Sequence, residues 1–409
     1  MLERKRIMSQ PSLSGRARGI QESPIRKLAP LAVEAELRGT RIYHLNIGQP
    51  DIPTPAEFWK TVKSNMGEVL AYGPSNGLPE LRQAICGYYE KSGISLNPEE
   101  VMITTGGSEA VVFAMMATCD PGDEIVCFEP FYTNYNGFAT LADVKLVPIT
   151  SKLENGFHLP PVEEIRSRIN DRTRAILICN PNNPTGTILT DEELSKLSGL
   201  VIEKDLFLLA DEVYRDFAFD GRQHSSILEF PDIRERAVVM DSISKRFSSC
   251  GARLGNIITR NDFLMSAFLK FGQARLCPPT LPQYGAAEMY RSLTDEYFQS
   301  VVSMYQKRRD ILMEELHGNG GISFQKPEGA FYATMRLPVE DTDLFAAWML
   351  SDYSVKGWTT MIAPAAGFYA TPGMGKDEIR IAYVLNEDKM KVALNILKSG
   401  LEEYISLRG

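Results

Sequence analysis

Residues 175–211 read AILICNPNNPTGTILTDEELSKLSGLVIEKDLFLLAD. An apolar run, Ala175–Cys179, leads into a turn dense in Asn and Pro. An amphipathic stretch, Asp191–Glu203, and a second apolar run, Leu206–Ala210, follow. Short apolar runs bounded by turn residues predict buried strands, and the stretch between them predicts a helix. That helix has a start signal, because Thr190 stands before Asp191, Glu192 and Glu193 in the order of a capping box. Strand, helix and strand in succession predict two parallel neighbours in one sheet.

The alternation extends outward on both sides. Val101–Thr104, Glu124–Phe128, Lys145–Ile149, Ala237–Met240 and Gly255–Thr259 read as further strands, and Ser108–Thr118 as a helix. The expected fold class is α/β, with a mostly parallel central sheet flanked by helices on both faces. Beyond about residue 300 the pattern changes to Tyr297–His317 (helix), Phe331–Met335 (strand), Asp343–Leu350 (amphipathic), Ile379–Val384 (strand) and Glu387–Tyr404 (helix). This predicts a smaller α+β domain. The expected division is an N-terminal arm, 1–48, packing with the small domain, a large domain, 49–297, and a small C-terminal domain, 298–409.

The 409 residues are 44% hydrophobic, ample for a large core, and carry a net charge of −8. A mildly acidic chain without basic blocks argues against nucleic acid as a partner. The one basic cluster, Arg4, Lys5, Arg6, Arg16 and Arg18, reads as a solvated tail. Six scattered cysteines, Cys86, Cys119, Cys127, Cys179, Cys250 and Cys277, lack metal-ligand spacing and read as free thiols in a reducing compartment. With no apolar stretch of signal-peptide or membrane-span character, the expectation is a cytoplasmic protein with no bound metal and no membrane partner.

In parallel α/β sheets, ligands bind outside the carboxyl ends of the strands, so polar residues that follow the apolar runs carry the functional reading. Ser242-Ile243-Ser244-Lys245 follows one such run. A lysine there faces the site end of the sheet, where a Schiff-base amine is needed; the alternative is a surface lysine. Arg253, eight residues on among small residues, has the planar fork that suits a phosphate, and Ser242 offers a hydroxyl to the same group. Thr104-Thr105-Gly106-Gly107-Ser108 joins a strand to a helix whose first N–H groups attract an anion. It is no GxGxxG fingerprint, which disfavours a nicotinamide enzyme. Arg380, in Glu378-Ile379-Arg380-Ile381, falls on the opposite strand face from its isoleucine neighbours, and a buried arginine needs an anionic partner.

The string SISKRFSSCGARLG, residues 242–255, resembles the cofactor-attachment signature of class I/II aminotransferases, pyridoxal-phosphate (PLP) enzymes with the aspartate aminotransferase fold. The likeness runs from Ser23 to the C-terminus and departs at Ser249, where the family usually has an apolar residue. It implies that Lys245 carries PLP, with Ser242, Ser244, Arg253, Gly107 and Ser108 around the phosphate. Tyr132 matches the aromatic stacked on the pyridine ring. Asp211, at the end of a strand run, matches the carboxylate that keeps the ring nitrogen protonated; an N-cap is its alternative role. Tyr214 and Asn183 match donors to the cofactor's phenolic oxygen, and Glu212 reads as structural. Arg380, Asn183 and Gly48 match the groups around the substrate α-carboxylate. Tyr72 matches a tyrosine that reaches the phosphate of the neighbouring subunit, which implies a homodimer with shared sites.

The implied activity is ping-pong transfer of an amino group between an amino acid, with glutamate or aspartate as donor, and a 2-oxo acid. Lys245, Asp211 and Tyr214 are the expected catalytic residues. A same-fold carbon–sulfur lyase shares this frame, and a PLP-binding regulator module would need an added DNA-binding domain. Ser108 stands where some aspartate-type relatives have a lysine for the distal carboxylate, and no second arginine sits in a matched motif. Ile47 and Phe368 would favour uncharged side chains. The expected enzyme is broad, taking apolar and aromatic oxo acids.

Overall fold

The computed structural model describes residues 12–408. Arg4, Lys5 and Arg6 lie outside the described residues. Twelve strands are present among these: β1 (Arg41–His44), β2 (Val101–Thr104), β3 (Glu124–Glu129), β4 (Lys145–Thr150), β5 (Thr173–Cys179), β6 (Phe207–Asp211), β7 (Ala237–Ser242), β8 (Gly255–Ile258), β9 (Tyr332–Arg336), β10 (Trp358–Met361), β11 (Ala363–Pro364) and β12 (Glu378–Ala382). Seven form the central sheet in the order β2-β8-β7-β6-β5-β3-β4.

The apolar runs are buried on both faces because helices cover both. Ile176, Ile178, Leu208, Ala210 and Val239 join one core, while Ala175, Leu177, Leu209, Val238 and Met240 join another on the opposite face. Strand alternation divides each run between two cores, which is why no polar face interrupts it. The helix Asp191–Glu203 begins as expected: Thr190 Oγ1 accepts from the Glu193 amide at 3.2 Å, and Glu193 accepts from the Thr190 amide at 2.8 Å.

β8 departs from the parallel pattern, running antiparallel to both β2 and β7. Residues 243–254 hold only a one-turn helix, Ile243–Arg246, and a short 3-10 turn, so the chain folds back instead of crossing the sheet. The start of β8 therefore lies at the same edge as the ends of its parallel neighbours. Gly255 is registered with both Thr104 and Ser242.

A second sheet, β11-β12-β9, and the parallel pair β1-β10 pack with the helices Asp295–Leu316, Thr342–Ser351 and Glu387–Ser406. Their shared core includes Phe217, Tyr305, Phe331, Ile379, Ile381 and Leu394. β1 pairs with β10 from Arg41 opposite Trp358 to His44 opposite Met361, and Tyr43 stacks on Trp358 at 4.5 Å. Among the described residues no helix is long and apolar enough to cross a membrane. All six cysteines are unpaired.

Candidate active site

A cavity of about 500 Å³ opens at the carboxyl edge of the central sheet. Its walls include Gly48, Gly107, Ser108, Tyr132, Asn183, Asp211, Tyr214, Ser242, Ser244, Lys245, Arg253 and Arg380, so the structure brings together every sequence-expected cofactor and substrate residue except Tyr72 and Phe368. Tyr72 is 80% exposed and lies outside its own chain's cavity.

Lys245 sits in the one-turn helix after β7. Ser242 Oγ caps that turn by accepting from the Ser244 amide at 3.1 Å, and it lies 2.8 Å from the Leu254 carbonyl. Lys245 Nζ donates to the Gly48 carbonyl at 2.7 Å and approaches Cys250 Sγ at 3.8 Å. No carboxylate within salt-bridge distance holds it among the described residues, whereas the next residue, Arg246, is buried between Asp216 and Asp241. One cation is neutralised by the fold; its neighbour is left for the cavity. Ser249, the departure from the family string, is buried and donates to the Ile243 carbonyl at 2.9 Å, so its hydroxyl is satisfied locally.

Asp211 ends β6. Its carboxylate accepts from Tyr135 Oη at 2.7 Å and from the Val213 amide at 3.3 Å. Burial pushes the carboxyl up to about 6, against the pull of these two hydrogen bonds. Glu212, pointing the other way, is buried against His224 at 3.1 Å and accepts from Ser226 and the Ile227 amide, which is a structural role. Tyr214 Oη lies 2.8 Å from Tyr332 Oη, and burial holds it well above the ordinary phenol range, so it stays protonated.

Gly106, at φ +74°, begins the helix Gly106–Thr118, and a Cβ there would come within 2.5 Å of Arg253 Nη2. A Cβ on Gly255 would come within 2.5 Å of Gly106 C. The glycines let the antiparallel β8 press Arg253 against the helix start. Arg253 donates to the Cys250 carbonyl at 3.1 Å and has no acidic partner among the described residues. A helix N-terminus, an uncommitted guanidinium and the hydroxyls of Ser108, Ser242 and Ser244 converge there, a donor set that fits a phosphate.

Arg380, in the middle of β12, is 1% exposed. It donates to Asn183 Oδ1 at 3.0 Å and to the Asn46 carbonyl, while Nε has no partner. The rings of Tyr332 and Phe368 flank it at 4.5 and 4.9 Å, and no carboxylate pairs with it among the described residues. Burial lowers its pKa, the direction expected for a cation without a counter-ion. A Cβ on Gly48 would lie 1.7 Å from Tyr332 Oη, so only glycine allows the N-terminal segment to close here.

Phe368 corrects one expectation. It does not line the cavity; the 3-10 turn Ala366–Phe368 buries it with Ala363, Ala365 and Tyr369 beneath Arg380. Tyr332, Tyr135, Cys250 and Arg26 are site residues that the sequence reading missed. Tyr332 opens β9 and Arg26 lies in the N-terminal arm, away from the strand ends, while Cys250 and Tyr135 follow β7 and β3 without a residue pattern that points to a ligand.

The cavity joins a lysine with no carboxylate partner, a donor set that fits a phosphate and a buried arginine with no counter-ion among the described residues, an arrangement suited to an enzyme of anionic substrates and a phosphorylated cofactor. The family model for aminotransferase class I and II matches residues 40–397, and the chain belongs to that family. It is 30% identical to aspartate aminotransferase of Sulfurisphaera tokodaii, over 97% of each chain. It is 31% identical to aromatic-amino-acid aminotransferase 2 of Thermococcus litoralis, over 96% of this chain and 99% of that one. Among solved structures, a mutant aspartate aminotransferase of Thermus thermophilus superposes with a TM-score of 0.87 at 27% identity, covering 95% of this chain and all of that one. The protein is a transaminase, its substrates are amino acids and 2-oxo acids, and its cofactor is pyridoxal 5'-phosphate.

Proposed function

We propose that the enzyme moves the amino group of glutamate or aspartate to apolar and aromatic 2-oxo acids in two half-reactions. Lys245 would anchor the cofactor, Asp211 would be the carboxylate that keeps its ring nitrogen protonated, and Tyr132 would be its aromatic neighbour. Gly107, Ser108, Ser242, Ser244 and Arg253 hold the phosphate. The bound cofactor supplies an electron sink for the carbon that loses its proton. Arg380 and Asn183 fix the substrate α-carboxylate, with Gly48 closing over it, and so orient the α C–H bond. With the cofactor bound, Lys245, which has no carboxylate partner among the described residues, would be the base that takes up the substrate's α-proton. Tyr214, kept protonated by burial, would be available to donate to the bound cofactor's phenolic oxygen.

The observation that carries this reading is the unpaired guanidinium of Arg380, buried in the cavity wall with Asn183. A buried cation without a counter-ion is costly unless a ligand supplies one. Residues 49–297 form the cofactor-binding domain on this reading, with the described residues 12–48 and 298–408 on the substrate side. Six unpaired thiols support a cytoplasmic location.

The test is a steady-state comparison with glutamate as donor and oxaloacetate, phenylpyruvate, 4-methyl-2-oxopentanoate or pyruvate as acceptor. All four are expected to react, with kcat/KM values within about a hundredfold, roughly 2.7 kcal/mol of discrimination. A stronger preference for oxaloacetate would reject the broad-acceptor reading.

Tyr72, exposed and outside the lining of its own chain's cavity, serves the neighbour's phosphate in a homodimer. Sedimentation at sub-micromolar concentration should find a dimer, and dilution to monomer should remove activity. A fully active monomer would overturn this assignment.

A further inference from the structure

A second cavity, of about 310 Å³, borders the turn that carries Asn183. Asn183 lines the active-site cavity, while Thr185, Gly186 and Thr187 line this one. Another wall is the segment Gln325–Glu328, which leads into β9 and the smaller sheet. This second cavity therefore lies on the seam between the central-sheet layer and the smaller sheet.

The turn is tied to that seam by its backbone. The Glu328 and Gly329 amides donate to the Gly186 carbonyl at 2.9 and 2.8 Å. Thr334 Oγ1 donates to the Pro184 carbonyl at 3.1 Å. A Cβ on Gly186 would lie 2.6 Å from the Tyr332 carbonyl oxygen. Glu328 accepts from the Ile188 amide at 3.1 Å. The placing of Asn183 thus depends on how residues 328–334 sit against the turn.

His158 stands across the seam. Its Nδ1 is 3.0 Å from Glu193 Oε2, on the central-sheet side, and its Nε2 is 3.7 Å from Glu328 Oε2, on the other. Glu193 is held in place, because it also accepts from the Leu159 amide at 2.7 Å and the Thr190 amide at 2.8 Å. Arg222 pairs with the other oxygen of Glu328 at 2.8 Å. The remaining charges around the cavity are committed elsewhere, Asp220 to Arg309 and Lys326, and Glu154 to Arg336. Only a protonated imidazole can offer an N–H to both carboxylates; a neutral ring has one.

We propose that His158 is a proton-controlled latch and a positioning residue. Its charged form clamps Glu193 to Glu328 and holds the Asn183 turn against β9, and its neutral form lets the seam loosen. The consequence for substrate rests on the assignment of Asn183 to the α-carboxylate, whereas the latch rests on the seam alone. The Glu193 hydrogen bond raises the pKa of His158 above the ordinary imidazole value, against the opposing pull of partial burial. A raised pKa in the folded state gives stability that is complete below about pH 6.5 and is lost as pH rises through the raised value. The latch is closed in acid and opens toward alkaline pH.

The test compares the cofactor-loaded wild type with His158→Gln and His158→Lys from about pH 6 to about pH 9. Two quantities are read: the thermal midpoint, and KM and kcat with glutamate. At the acidic end His158→Gln should melt lower than wild type and show a KM about fivefold higher, the scale of one partly buried ion pair, with kcat kept. At the alkaline end the two should converge. His158→Lys keeps its charge over the whole range and should hold the low KM where the wild type loses it. A histidine with a merely structural role would shift the midpoint equally at every pH. A difference in midpoint between wild type and His158→Gln that is zero or constant across the range would overturn the latch. A pH-dependent difference in midpoint without any change in KM would support the latch and strike the role of Asn183 instead.

Discussion

Replacing Lys245 with Ala is expected to take transamination below detection, a loss of more than about 10⁴-fold. A positioned general base alone contributes about 10²–10⁴-fold, and this residue also supplies the covalent link. The fold should survive, because among the described residues Lys245 makes one hydrogen bond to the Gly48 carbonyl, one weak contact to Cys250 and no ion pair. Arg246, which does hold the local structure through Asp216 and Asp241, is untouched. The cofactor should still bind without a covalent bond, held by Arg253 and the Gly107–Ser108 helix start. Borohydride reduction followed by mass spectrometry checks this. The wild type should carry the reduced cofactor on the Lys245 peptide, and the variant should carry none. A reducible protein–cofactor link in the variant would reject Lys245 as the anchor.

Asp211→Ala should cost about three powers of ten in the half-reaction rate, about 4 kcal/mol of barrier. Without the carboxylate the bound cofactor's ring nitrogen would lose the partner proposed to keep its proton. Stopped-flow absorbance with a saturating amino acid measures the rate, and near-normal turnover would mean that the carboxylate is structural. A second signature follows from burial, which raises this carboxyl to about 6 in the cofactor-free protein. The folded state then keeps a proton that the unfolded chain has already released near pH 4. Stability from this group is therefore lost as pH rises from about 4 through about 6, by at most about 3 kcal/mol. Urea unfolding of the cofactor-free wild type should show that slope, and Asp211→Asn should flatten it.

Both predictions concern residues that the sequence exposed. Asp211 and Lys245 follow apolar runs, and an apolar run in a doubly covered sheet is readable from composition alone. The register of the two cores along β5, β6 and β7 explains the clarity of that signal, since both faces of each strand must be apolar. Arg380 was legible for a related reason, as a charge set between isoleucines in a strand. Its lack of a counter-ion was not legible, because it depends on what packs around β12 from elsewhere in the chain.

The direction of β8 shows a different limit. Its apolar run resembles those of its parallel neighbours, and only the short link from β7 turns it back. That reversal brings Arg253 to the carboxyl edge, at a site where Gly106 and Gly255 leave room for it.

By itself the sequence determined the α/β alternation, the strand ends that face the cavity, the helix that follows β2 and the lysine that follows β7, because each is written in a contiguous stretch. Tertiary structure alone decided the rest. It set Tyr332 against Gly48 and Tyr214, Tyr135 beneath Asp211, Phe368 behind Arg380, and Arg26 at the cavity rim. These contacts join segments far apart in the chain, and their partners are chosen by the shape and burial of two packed sheets rather than by any neighbour in sequence.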